Sequence, residues 1–299
     1  MKILLFGANG QVGFELARSL LPLGDVIALN RENADLTDLE KCRATIQTIQ
    51  PDVIVNAAAY TAVDKAETER ETAFLINAKA VEVFAQEAKK VGALLIHYST
   101  DYVFDGTKNT PYLEDDLPNP LNVYGESKLA GEQAIQASGV DYLILRTTWV
   151  FASRGQNFVK SILRLAAERE ELNIVADQIG APTSARFIAD ATAHILQKAQ
   201  CERHAKTFSS GIFNLTNSGE TSWFGFAEKI VEYLPPSPPP KGGAVSCLVK
   251  PIPTTAYPTP AKRPANSRLS TEKLQQRFGL NLPTWEQSLT LCLESCYGK

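Results

Sequence analysis

Short runs of apolar residues alternate with longer amphipathic stretches through the first half of the chain. Residues 3–6, 26–29, 53–57, 94–98 and 143–146 are runs of four or five, rich in Ile, Leu and Val. Unbroken runs of that length suit parallel strands covered on both faces; a half-exposed strand would alternate instead. Between them, apolar residues recur at helical spacing over 12–21, 39–49, 72–91 and 123–137. Asp38 stands where an N-cap would start the second helix, and Gly92 and Gly139 follow the ends of the third and fourth. Strand and helix in alternation predict a doubly wound α/β sheet with right-handed crossovers.

After residue 146 the rhythm loosens. Helical patterns cover 157–170, 188–199 and 223–233, and 212–215 reads as one more strand. Residues 234–243 hold five prolines and two glycines and read as a solvated connection without function. Residues 251–264 carry further prolines and are expected to be irregular but packed, before two short helices at 271–278 and 284–296. The organisation expected is a dinucleotide-binding domain over 1–150, with a returning piece at about 187–219. A smaller C-terminal α+β substrate domain is expected from 151–186 and 220–299.

Composition narrows the class. Charged residues at 21% and apolar ones at 44% match a soluble globular enzyme, and a formal net charge of −3 argues against a nucleic-acid partner. No run has the length or flanks of a signal peptide or membrane span. Five scattered cysteines read as reduced thiols; Cys292 and Cys296 lie one helical turn apart, but with no nearby histidine or second pair they do not read as a zinc site. The expectation is a cytoplasmic protein with neither nucleic acid nor membrane as partner; a homodimer is left open.

Two motifs carry chemistry. Gly7, Gly10 and Gly13 follow the first strand and open the first helix. Glycine there lets the chain turn tightly and bring backbone N–H groups against a pyrophosphate at a helix N-terminus. The context predicts a Rossmann-type dinucleotide site. At the end of the second strand, Asn30 can serve a ribose hydroxyl. Arg31 either neutralises a 2′-phosphate or is a solvated surface arginine, and Asp35 and Leu36 follow towards the adenine. NADPH is favoured and NADH tolerated. The second motif is Tyr124 and Lys128, at i and i+4 on one face of the fourth helix. A nearby ammonium would draw the phenol down from its usual value near 10 towards neutrality, making it an acid–base group. Thr100, at the C-terminal edge of the fourth strand, would donate to a substrate carbonyl.

With these residues in view, the chain resembles the extended short-chain dehydrogenase/reductase family over nearly its whole length, and more narrowly its reductases of dTDP-linked 4-keto sugars. The resemblance rests on residues 5–13, 52–59, 61–67, 98–105, 120–128 and 146–150. It continues in 177–183 and 253–264, in the half where sibling families diverge. It implies NADPH-dependent reduction of the C4 keto group of dTDP-4-dehydro-L-rhamnose to dTDP-L-rhamnose. Tyr124 is then the proton donor, Lys128 its partner on the cofactor ribose, and Thr100 a group tuning Tyr124. Gly10, Gln11 and Val12 lie under the pyrophosphate, Ala59, Tyr60 and Thr61 along the cofactor, and Tyr98 near the nicotinamide. Thr100, Asp101 and Trp149 are the implied substrate contacts, a buried core aromatic being the competing reading of Trp149. Lys262, Arg263 and Arg268 are candidate cations for the substrate diphosphate, or else a solvated basic run. The family carries an association with Mg²⁺ through acidic side chains. Glu15 and Glu294 could serve, but Arg186 occupies a place where a further acid is expected, so no metal is assigned. The rival readings are a nucleotide-sugar epimerase or dehydratase of the same family and a non-catalytic scaffold subunit.

Overall fold

Backbone amides and carbonyls cannot be buried unpaired, so the apolar runs satisfy theirs by lying side by side. In the computed structural model, which describes residues 1–233 and 247–297, they form the centre of one parallel sheet. Its strands are β1 (Lys2–Phe6), β2 (Asp25–Leu29), β3 (Val53–Asn56), β4 (Leu94–Thr100) and β5 (Tyr142–Thr147). The chain then makes four short strands, β6 (Val150–Phe151), β7 (Glu171–Val175), β8 (Ile179–Gly180) and β9 (Thr183–Ser184). It returns to the sheet as β10 (Gly211–Asn214). The spatial order is β2-β1-β3-β4-β5-β10, every neighbouring pair parallel. The order reverses between β1 and β3, and at the carboxyl ends of strands beside such a switch point an α/β sheet opens a crevice.

Alternate residues of each strand face opposite helical layers. Ile3, Leu5, Val53, Val55 and Ile96 pack under α1 (Gln11–Ser19). On the other face Leu4, Phe6, Ile54 and Leu95 meet α2 (Leu39–Ile49). The chain continues through α3 (Val63–Ala66) and α4 (Arg70–Phe74) to α5 (Ala80–Val91), whose Phe84 ring stacks on Phe6 at 4.3 Å. Each large side chain so buried contributes about 1.5–3 kcal/mol relative to exposure. Asp38 does cap α2, accepting the Lys41 N–H, and Gly92 and Gly139 end their helices in the left-handed region.

Helix α6 (Val123–Ser138) carries Tyr124 and Lys128, and a buried ion pair fixes it to the sheet. Arg146 of β5 donates to both carboxylate oxygens of Glu132, at 2.9 and 2.6 Å, and to the Glu114 carbonyl at 3.0 Å. Removing one partner of such a pair leaves an uncompensated buried charge and costs about 3–5 kcal/mol.

The second lobe is built from α7 (Phe158–Glu168), β7, α9 (Trp223–Glu232), β12 (Leu248–Ile252) and α11 (Trp285–Tyr297), and β11 (Thr221–Ser222) pairs antiparallel with β8. Phe151, Ile162, Leu172, Phe226, Trp285 and Leu293 make its core. Residues of helix α8 (Ala185–His204) share a core with α1, and β10 pairs with β5.

Three features differ from the sequence expectation. The helix expected over 72–91 is α4, then a π-helical turn at Leu75–Lys79, then α5. The wider turn goes with a buried Asn77, which bonds the Tyr60 N–H, the Tyr60 carbonyl and the Ser127 hydroxyl. A periodicity of apolar residues cannot reveal a turn made for a polar one. Leu274 and Phe278 of α10 (Glu272–Phe278), with Leu282, pack into the core of the main sheet and not into the second lobe, to which the sequence reading gave 220–299. The segment 251–264 includes the end of β12 and a 3₁₀ turn at Thr254–Ala256. The connection at 234–243 lies outside the described residues.

Candidate active site

The cleft at the switch point measures about 820 Å³ and is lined from β1, β2, β3, β4, β5 and α6. Of the residues expected to serve catalysis, cofactor or sugar, all but Gly13 line it. A second hollow, about 890 Å³, lies by Met1, Asp52, Gly92 and Asp141, away from both motifs. None of those residues reaches it.

On the nucleotide side the backbone does most of the shaping. Gly7 has φ +85°, and a Cβ there would sit 2.7 Å from the backbone of Ala57 and Ala58. At Gly13 a Cβ would come within 2.0 Å of the Gly7 carbonyl, so this glycine packs the helix against the turn instead of touching the cleft. Gly10 caps α1 without a side-chain hydrogen bond, which leaves the first amides of the helix as free donors. This cradle, which a methyl group would fill, suits a pyrophosphate.

The polar residues beyond the turn are already engaged by their own loop. Asn30 Oδ1 accepts from Glu32 and Asn33 N–H, and Asp35 Oδ1 from Thr37 N–H and hydroxyl. The hydrogen bonds from Thr37 hold the Asp35 carboxyl below its ordinary range. Arg31 pairs with Asp35 at 3.2 Å, its side chain 81% exposed, so much of the guanidinium faces solvent at the cleft edge. Leu36 is buried beneath them. Asn77 fixes the Tyr60 backbone, and the Tyr60 phenol bonds Glu69 at 2.7 Å, with its pKa pushed up to about 12.

Across the cleft stand the groups expected to do chemistry. Thr100 donates to Asp101 Oδ1 at 3.1 Å and accepts from Tyr102 N–H at 3.2 Å, and it stands beside Tyr124 in the cleft lining. Burial pushes the Tyr124 phenol up to about 12, the polar Thr100 hydroxyl nearby opposing it in part. This corrects the expected fall towards neutrality. Lys128 does not turn its nitrogen to the phenol; Nζ donates to the Tyr98 carbonyl at 2.6 Å and meets His97 Nε2 at 3.1 Å. Burial instead lowers Lys128 to about 8. The Tyr98 phenol shares a 2.7 Å hydrogen bond with Thr192 of α8, so that side chain is spent inside the protein.

Asp101 is buried, and loss of solvent raises its carboxyl to about 6, opposed in part by the Thr100 hydroxyl that donates to its Oδ1. Among the described residues its Oδ2 has no partner within hydrogen-bonding distance, nor do the hydroxyls of Ser99, Thr147 and Thr148. All four residues line the cleft. Trp149 holds φ +45°, an uncommon conformation for a bulky residue, and its ring stacks on Trp223 at 3.7 Å with Gly180 beneath. It is thus both a packed aromatic and a wall of the cleft.

Sequence reasoning missed Trp223, Gln156, Asn157, Thr147, Thr148 and Ile76, which also line the cleft. Thr147 and Thr148, just after the fifth apolar run, lie at a strand's carboxyl end, a signal that was readable. Trp223 arrives from the other lobe and gave none.

The three candidate diphosphate cations do not line the cleft. Arg268 is committed to Asn266, Glu220 and the Asn109 carbonyl, which removes it. Arg263 pairs with Asp64 at 2.8 Å, and its buried Nη1 has no partner. Lys262 is exposed, its carbonyl held by Asn122. Of the acids considered for Mg²⁺, Glu15 is also paired. Arg186 lies 3.5 Å from Glu15 and 2.9 Å from Asp190, supplying the cation itself. Glu294 is exposed on α11. Among the described residues no three metal-binding side chains gather, and Mg²⁺ does not fit where a guanidinium already sits. No described helix is long and apolar enough to cross a membrane.

Residues 1–297 match the family described as RmlD substrate binding domain. The chain is 56% identical over 293 residues to the dTDP-4-dehydrorhamnose reductase of Burkholderia thailandensis, covering 98% of each chain. It is 50% identical to that of Escherichia coli (strain K12), over 99% of this chain and 98% of the other. Among solved structures it resembles dTDP-4-dehydrorhamnose reductase from Bacillus anthracis in complex with NADP. There the TM-score is 0.86 and the identity 36%, over 99% of this chain and 100% of that one.

Proposed function

Since the chain belongs to the dTDP-4-dehydrorhamnose reductase family, we propose that it reduces the C4 keto group of dTDP-4-dehydro-L-rhamnose to dTDP-L-rhamnose with NADPH. The observation that carries this reading is the meeting of Tyr124, Thr100 and Lys128 in the cleft that the glycine turn opens.

The glycine turn and the free amides of α1 hold the pyrophosphate, Ala59, Tyr60 and Thr61 flank the nucleotide, and Arg31 takes the 2′-phosphate. When bound, NADPH supplies the hydride. Tyr124 supplies the proton. A phenol held near 12 is fully protonated at neutral pH, and the alkoxide that forms at C4 is a far stronger base than a phenolate. Thr100, whose hydroxyl proton goes to Asp101 Oδ1 in the cofactor-free protein, turns that proton to the developing oxyanion. Lys128 holds the nicotinamide ribose and, as an ammonium, supports the phenolate left after transfer. Asp101, the strand-end hydroxyls and Trp149 hold the sugar, and binding of the dTDP portion positions the carbonyl without entering the chemistry.

The test follows reduced-cofactor absorbance with dTDP-4-dehydro-L-rhamnose. One NADPH consumed per sugar reduced is expected; turnover without net consumption would mean an epimerase or dehydratase, and no turnover a scaffold. Chelation with EDTA should leave the rate unchanged, because Arg186 fills the place between Glu15 and Asp190.

A further inference from the structure

Lys128 is held by a chain of buried hydrogen bonds that begins in the loop lining the nucleotide side of the cleft. Asn56, the last residue of β3, is 1% exposed, and its Oδ1 accepts the Ala58 N–H at 3.1 Å. Oδ1 is the only acceptor on that side chain, so the atom facing His97 Nδ1 at 3.1 Å is Nδ2, a donor. Nδ1 must therefore carry the lone pair. His97 is fully buried, and loss of solvent pushes its imidazolium form well down, so the ring is neutral. A neutral ring with a bare Nδ1 carries its proton on Nε2. Nε2 is the atom 3.1 Å from Lys128 Nζ. An N–H facing an ammonium has nothing to donate to; the contact is a hydrogen bond only when the lysine nitrogen offers a lone pair.

We infer that His97 is a positioning residue, locked by Asn56 in its Nε2–H tautomer, which donates to Lys128 and favours the neutral amine in the cofactor-free protein. This rests on reading Tyr124 and Lys128 as the catalytic pair. It adds a coupling. For Lys128 to take up a proton and keep its contact with His97, Nε2 must become the acceptor and Nδ1 the donor, and Asn56 must turn its amide over. That frees the Ala58 N–H, and Ala58 lines the nucleotide side of the cleft. Contacts at that loop and the charge on Lys128 thus bias each other. The other titratable and charged groups around Lys128 are Tyr124 and Glu132 on its helix, Tyr98 on β4, Asp101 and Tyr102 after it, and Arg146 of β5, which is tied to Glu132.

The test is ¹⁵N NMR of the histidine ring nitrogens in the full cofactor-free chain. There are three histidines, so the spectrum of His97→Gln assigns His97. At about pH 9 the proton is expected on Nε2; as pH falls through about 8, where Lys128 titrates, it should move to Nδ1 without an imidazolium signal. A proton on Nδ1 at the higher pH, or an imidazolium at the lower, overturns the inference. In kinetics, the side-chain amide introduced by His97→Gln offers an oxygen to the ammonium. The fall of kcat/KM at high pH should then move up by about one unit in that variant. An unmoved limb in the folded variant counts against the inference. Asn56→Asp is the second variant: it keeps an oxygen for Ala58 and presents another to Nδ1, so the proton should sit on Nδ1 even at about pH 9. Persistence on Nε2 there overturns the assignment. Full activity in Tyr124→Phe would instead refute the catalytic pair and leave the tautomer measurement to decide His97 alone.

Discussion

The two sides of the cleft are built on opposite plans. On the nucleotide side, polar side chains are spent on their own loop: Asn30 and Asp35 close local turns, and Asn77 braces Tyr60. What remains for a ligand is backbone N–H and the absence of Cβ atoms. On the sugar side the reverse holds. Ser99, Asp101, Thr147 and Thr148 bury polar atoms that have no protein partner. Leaving a buried polar group unsatisfied costs about 1–3 kcal/mol, a cost that a hydroxyl-rich ligand removes on arrival. One side offers a ligand shape, the other unmet hydrogen bonds.

That contrast can be broken in four places. The largest effect is expected from Tyr124→Phe, which should lower kcat by about 10²–10⁴ while leaving the NADPH dissociation constant unchanged by fluorescence titration. A parallel loss of cofactor affinity would mean that the two sides are not separable.

Asp101→Asn comes next. The folded carboxyl sits at about 6, above its ordinary 3.8, so ionisation is disfavoured in the fold. Its contribution is fully present below about pH 4 and lost as pH rises through about 6. The Asn variant should therefore be more stable than wild type by about 3 kcal/mol near pH 7, and the gap should close at low pH in urea unfolding. A constant gap would show that the carboxyl does not titrate there. Turnover should fall in the same variant if this group reads the sugar.

Gly13→Ala tests the shape side. The added methyl collides with the Gly7 carbonyl, and a loss of about 1–3 kcal/mol in thermal unfolding is expected, with weaker NADPH binding. Unchanged affinity would mean the turn is not the pyrophosphate cradle. The smallest effect belongs to Arg31→Ala. This exposed and screened cation should give up roughly tenfold of NADPH affinity and little of NADH. An unaltered ratio between the two cofactors would return Arg31 to the solvated surface.

The same contrast explains what was legible in the sequence. The nucleotide side follows from local rules: a glycine that needs positive φ at 7, a glycine packed on a carbonyl at 13, a strand before and a helix after. The Tyr124–Lys128 spacing was likewise readable, because i and i+4 share a helix face. The electrostatics were not. A helix pattern puts two side chains on one face but does not say that Lys128 will turn to Tyr98 and His97, nor that burial will outweigh its charge at the phenol. The sugar side draws on segments far apart in the chain. Trp223 reaches Trp149 only because the second lobe folds back, and the π turn at Asn77 exists for a polar contact that no apolar period encodes. The basic run at Lys262, Arg263 and Arg268 offered either cations for a diphosphate or a solvated face, and the pairing of Arg268 with Glu220 and of Arg263 with Asp64, across long stretches of chain, was not readable from it.

The stack of Trp149 on Trp223 joins the end of β5 to the first residue of α9, so one indole rides on each lobe. With three tryptophans in the chain and two of them in face contact, the protein carries its own optical gauge. Any hinge motion that parts the rings alters near-ultraviolet circular dichroism and emission without an added dye. The arrival of a sugar nucleotide can therefore be timed by stopped flow in the unlabelled enzyme, separately from the absorbance that reports its turnover.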